Sequence, residues 1–81
     1  MKNTLTQVIG LNVKRIRQRL GLTQKALADK VEVTQAALSY IEKGERNPSV
    51  STLDLLANAL DTTAAILVWD YYGRAPKENG S

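Results

Sequence analysis

Residues 23–44, TQKALADKVEVTQAALSYIEKG, constrain the fold more than any other part of the chain. Two short amphipathic helix patterns, each opened by a Thr-Gln pair, follow one another with only a few residues between them. Thr23 and Thr34 suit N-caps, whose hydroxyl accepts a backbone N–H of the first turn. The first pattern predicts a helix from Gln24 to about Val31, with Leu27, Ala28 and Val31 on its buried face. The second predicts a helix from Gln35 to Lys43, with Leu38 and Ile41 facing inward and Gly44 as the stop. The small side chain of Ala28, in the middle of the first of them, permits two such helices to cross steeply at close range.

The flanking segments also read as helices. Leu5, Ile9, Val13, Ile16 and Leu20 recur on one face of a helix from about Thr4 to Leu20. Thr4 followed by Gln7 fits a capping box, and Gly21 suits the left-handed residue past the helix end. After a polar loop around Pro48, a fourth helix is expected from Ser49 or Ser51 to Leu60, with Leu53, Leu56, Ala57 and Leu60 as its apolar stripe. Thr63 can cap a fifth helix through Ala64 to about Tyr71. The dense run Ile66, Leu67, Val68, Trp69 also suits a short strand. We read it as helix, because four helices precede it and Ala64-Ala65 favour a helix start. The fold class is therefore all-α: a compact domain of four to five helices over residues 1–72, followed by a flexible tail, 73–81, with Pro76 and two glycines.

Composition removes most other chemistries. Cysteine and histidine are both absent, which leaves no disulfide, no thiolate metal site and no Ser-His or Cys-His pair. No cofactor and no enzymatic activity are expected. Ala64 to Trp69 is far too short to cross a bilayer, and nothing resembles a signal peptide, so a cytoplasmic, nucleoid-associated location and no membrane contact are expected. The net charge is only +3, but it is unevenly spread. Residues 1–28 carry Lys2, Lys14, Arg15, Arg17, Arg19 and Lys25 with no acid, while 54–81 are slightly acidic. That asymmetry suits one face turned toward a polyanion, although a solvated cationic face would look the same.

Two crossed helices of this kind form a helix-turn-helix, which presents its second helix to the major groove of DNA. With Leu38 and Ile41 inward, Gln35, Ala36, Ser39 and Tyr40 point outward as candidate base contacts, with Lys43 at the end of the same face. A glutamine amide can donate to and accept from adenine at once, and alanine can touch a thymine methyl. Gln24, at the start of the first helix of the pair, would lie over the backbone. Thr23, Gln24, Lys25, Thr34 and Lys43 are the candidate phosphate contacts of the two helices.

The stretch IGLNVKRIRQRLGLTQKALADKV, then TQAALSYIEKGERNPSVSTLDLLANAL, resembles the phage repressor and Cro type helix-turn-helix regulators. The resemblance covers about residues 8–68. It rests on Ile9-Gly10, Ile16-Arg17, GLTQ at 21–24, Ala28, IEKGERNPS at 41–49 and the LxxLAxAL ending at Leu60. It implies that Gln24 contacts phosphate, that Gln35, Ala36 and Tyr40 face bases, and that Arg46 and Asn47 touch the backbone. It also implies that Arg17 and Glu42 form a partly buried ion pair tying the first helix to the third. Two positions depart from the family pattern: glycine is frequent where this chain has Glu32 and Asp61. A left-handed Glu32 would cost of order 1 kcal/mol.

The function these readings imply is sequence-specific binding of a double-stranded DNA operator by a homodimer. Ile66, Leu67, Trp69, Tyr71 and Tyr72 are the candidate dimer interface, because so small a domain cannot cover all its aromatics alone. Family members of this size include restriction–modification controllers, phage repressors and antitoxins. The alternative is therefore an antitoxin that holds a toxin, and RNA polymerase is another possible protein partner.

Overall fold

The computed structural model describes residues 4–69, and among them every regular element is helical. In chain order these are α1 (Leu5–Arg19), α2 (Gln24–Lys30), α3 (Gln35–Glu42), α4 (Val50–Ala59) and the single turn α5 (Ala64–Leu67). The all-α expectation holds, and the choice between helix and strand at 64–67 falls to helix.

Each helix starts on the short polar residue the sequence offers. Thr4, Thr23, Thr34, Ser49 and Thr63 have extended backbone, and each side-chain oxygen accepts a first-turn N–H. At α1 the capping box is complete: Gln7 N–H donates to Thr4 Oγ1 at 3.1 Å, and Thr4 N–H donates to Gln7 Oε1 at 2.9 Å. Of the two serines considered for α4, Ser49 is the cap.

The first four helices end alike. The residue after the cap is left-handed: Gly21 at φ 75°, Glu32 at 60°, Gly44 at 76° and Asp61 at 57°. The next N–H then turns back to the helix. Leu22 donates to Arg17 O, Val33 to Ala28 O, Glu45 to Tyr40 O and Thr62 to Ala57 O. This is the Schellman arrangement, which satisfies carbonyls the last turn would leave unpaired. Two of the four positions carry an acidic residue in a conformation that glycine takes more cheaply.

The core is aliphatic. Ile9, Val13, Leu27, Ala28, Val31, Leu38, Leu56, Ala57, Leu60 and Leu67 form one buried cluster. Leu5, Ile16, Leu22, Val33 and Leu53 pack against its edge. Helix α3 lies against both α1 and α2, and α5 packs on α1 and α4. Gly10 lets α1 come close: a Cβ there would overlap the carbonyl oxygen of Ile41. Gly44 likewise faces α1, where a Cβ would lie 2.9 Å from Gln7 Cα.

Three expectations are corrected. Leu67, assigned to a dimer interface, is fully buried and closes the bottom of the core, so it has no surface to offer a partner. Leu20, assigned to the inward stripe of α1, is 50% exposed, because the helix ends at Arg19 and the chain leaves the periodic face there. Helix α5 is also shorter than expected, ending at Leu67 rather than near Tyr71. Tyr71, Tyr72 and the tail 73–81 lie outside the described residues.

Beside the expected Arg17–Glu42 pair, one further buried polar residue was not anticipated. Asn12 is buried, and its Nδ2 donates to the carbonyl oxygen of Leu67 at 2.9 Å, tying the end of α5 to the middle of α1. A buried amide earns its place only with such a partner.

Candidate nucleic-acid interface

The inward residues of α3 decide what its outer face presents. Leu38 and Ile41 are buried, and 3.6 residues per turn then place Gln35, Ala36, Ser39, Tyr40 and Lys43 along the opposite strip. Gln35, Ala36, Tyr40 and Lys43 are exposed, and Ser39 is half-buried. The structure thus brings together all four residues expected to face bases. The Lys43 ammonium sits 5.7 Å from the centre of the Tyr40 ring, close enough for a weak cation–π contact at an exposed site.

The acid of α3 is withdrawn from this face. Glu42 is only 8% exposed and is held by Arg17, itself 8% exposed. Arg17 Nε donates to Glu42 Oε2 at 2.6 Å and Nη2 donates to Oε1 at 3.0 Å. Arg17 Nη1 donates to the carbonyl oxygen of Leu22 at 2.8 Å. The expected tie between the first and third helices is present, as a bidentate pair, the geometry in which guanidinium and carboxylate match best. It leaves α3 with no acidic side chain on its exposed strip.

The flanking candidates surround that strip. Thr23 and Thr34 use their hydroxyl oxygens to accept the N–H groups of Ala26 and Ala37, at 3.0 and 2.9 Å. That role leaves each hydroxyl proton for an outside acceptor. Lys25 reaches Asp29 on the next turn at 3.3 Å, with both side chains largely exposed. Such a surface pair contributes about 0–1 kcal/mol and yields readily to a phosphate. Arg46 and Asn47 are exposed in the loop after α3, on the rim of a concavity shared with Val33, Ala37 and Pro48. Gln24 is half-buried and already engaged: its Nε2 donates to Glu42 Oε1 at 3.0 Å. No local sequence signal marks that bond, since its partners are 18 residues apart.

The described residues hold no cluster of carboxylates or other donors that could bind a metal, and no helix long and apolar enough to cross a membrane. Of the expected apolar contact residues near the other end, Ile66 and Trp69 are 46% and 47% exposed. They line a groove with Asn12, Arg15, Ile16 and Arg19.

Residues 13–67, which include α2, α3, α4 and α5, match the family described as Helix-turn-helix, HTH_3. The chain belongs to this family. Within it, the chain is 39% identical over 64 residues to an uncharacterized HTH-type transcriptional regulator, y4dJ, of Sinorhizobium fredii, covering 79% of this chain and 83% of that one. It is 38% identical over 60 residues to the immunity repressor protein of Bacillus phage phi105, covering 74% of this chain and 42% of the repressor. The crystal structure of the restriction–modification controller protein C.AhdI from Aeromonas hydrophila superposes with a TM-score of 0.73 at 29% identity, over 76% of this chain and 94% of that one. The resemblance to phage repressor type regulators, drawn from the residues, is thus met by both sequence and fold.

Proposed function

We propose that this HTH_3 member is a transcriptional regulator that binds a double-stranded operator in a sequence-specific way, as a homodimer. One observation carries the reading: α3 exposes Gln35, Ala36, Ser39 and Tyr40 on one strip while its only acid is buried against Arg17. In a helix-turn-helix the second helix enters the major groove and the first crosses the backbone. Gln35, in the first turn of α3, is the principal base reader, through a bidentate contact to adenine. Ala36 meets a thymine methyl, and Ser39 and Tyr40 read or pack against the neighbouring bases. Thr23, Gln24, Lys25, Thr34, Lys43, Arg46 and Asn47 hold the phosphates that set register. Regulator and repressor relatives support the reading.

Ile66 and Trp69 supply the apolar contact between protomers, one half-exposed residue at each end of the turn that follows Ala65. Two protomers would read half-sites about one helical turn apart, roughly 34 Å. The same patch would serve a toxin or RNA polymerase in the alternative reading. The helical form of α5 favours the dimer, because it offers no strand edge for a partner to extend.

Selection of bound sites from a pool of random duplexes tests the proposal. The expected result is an enriched near-palindrome with that half-site spacing. Recovery of no preferred sequence would refute base reading, and recovery of single half-sites would refute the dimer.

A further inference from the structure

We propose that Glu42 is a positioning residue for DNA binding: its buried carboxylate locks the Gln24 amide so that one amide N–H is kept for a backbone phosphate. The inference rests on the DNA-binding reading above and adds how α2 is aimed at the backbone.

Glu42 accepts three hydrogen bonds, two from Arg17 at 2.6 and 3.0 Å and one from Gln24 Nε2 at 3.0 Å. Arg17 in turn holds the carbonyl of Leu22, which lies between α1 and α2. One carboxylate therefore joins α1, α2 and α3 beneath the start of α2. An ionised carboxylate only accepts, so it selects the nitrogen end of the amide and turns the carbonyl oxygen away. A side-chain amide nitrogen carries two hydrogens. One is held by Glu42, and the second remains for an acceptor outside the chain.

The lock solves a problem a free glutamine would have. An unconstrained amide presents either its oxygen or its nitrogen to a phosphate, and the oxygen is repelled. Gln24 is half-buried with one N–H already committed, so both its rotamer and its flip are set before DNA arrives. Preorganisation of this kind lowers the entropy cost of the contact. Arg17 balances the charge of Glu42, so the lock brings no net negative charge toward the phosphate.

The experiment measures affinity for the selected operator and for a random duplex, using the full chain, Gln24→Met, Glu42→Gln and the double variant. An uncharged methylphosphonate is placed at each backbone position in turn. Gln24→Met keeps length and packing but cannot donate. It is expected to weaken both duplexes equally, by about ten- to a hundredfold per protomer, the scale of one hydrogen bond to a charged group. That loss should shrink to the neutral-bond scale, about two- to tenfold, when one particular phosphate per half-site is neutralised, because a methylphosphonate keeps an acceptor oxygen but no charge. Glu42→Gln should lose affinity at the same phosphate, and the double variant should bind no more weakly than the worse single variant. Additive losses would make Glu42 merely structural and overturn the inference, as would a Gln24→Met chain that loses nothing at any phosphate.

Because Glu42→Gln also disturbs the Arg17 pair, an NMR measurement on the unaltered chain stands beside it. The Gln24 side-chain amide should be more ordered and exchange more slowly than that of the exposed Gln18. Equal mobility of the two amides would overturn the lock. A chain with no preference for its operator over random duplex would overturn the DNA reading itself, and this inference with it.

Discussion

Glu32 sits at φ 60°, between the two helices of the motif, where glycine would be unstrained. A left-handed conformation costs an L-residue with a Cβ about 1–2 kcal/mol. Glycine avoids that cost but loses more backbone freedom on folding, which takes back about 0.5–1 kcal/mol. The negative charge adds a second penalty, since Glu32 follows the C-terminus of α2, where the helix dipole disfavours anions by about 0.3–1 kcal/mol at low salt. Glu32→Gly should therefore stabilise the fold by about 1 kcal/mol. Glu32→Gln separates the two effects, because it removes the charge and keeps the strain. Urea denaturation without DNA provides the assay. Glu32→Gly is expected to exceed Glu32→Gln by about 0.5–1 kcal/mol, and to raise the melting temperature by roughly 4–8 °C for each kcal/mol gained. The Val33 N–H to Ala28 carbonyl bond needs this turn and should survive in both variants. If Glu32→Gly is no more stable than Glu32→Gln, the strain argument is wrong.

Three other variants probe the framework around the motif. Asn12→Ala leaves the Leu67 carbonyl without its donor and should cost about 1–3 kcal/mol in the same urea assay; no loss would show that water replaces the amide. Gly10→Ala drives a Cβ into the Ile41 carbonyl, so α1 and α3 must separate; a loss of about 1–3 kcal/mol is expected, and wild-type stability would mean the helices are not so close. Ile66→Asp tests the proposed dimer patch while leaving the buried Leu67 in place. Sedimentation should show at least a tenfold weaker self-association, about 1.4 kcal/mol, with little change in unfolding, and an unchanged equilibrium would refute this interface.

What the sequence made legible follows from the physics of each signal. Five helix starts could be read because a Thr or Ser stands before each helix, and capping is local. The strip Gln35 to Tyr40 was readable because Leu38 and Ile41 define its opposite side. Leu67 was misplaced because it sits in six consecutive apolar residues, Ala64 to Trp69, and periodicity cannot choose an inward face within so unbroken a run. Asn12 carries no mark in the apolar pattern, although it lies beside Val13 on the packed side of α1; periodicity counts apolar residues and misses a buried amide. The bond from Gln24 to Glu42 joins distant residues and shows only once the helices are folded together.

Whether Gln35 reads a base is decided by single-base scanning of the selected operator. Each base pair of a half-site is replaced in turn, and affinity is measured for the unaltered chain and for Gln35→Ala. Gln35→Ala is expected to lose about 1–3 kcal/mol on the intact operator, with discrimination relaxed at one position and kept at the others. An equal loss on every duplex, random DNA included, would contradict base reading by Gln35.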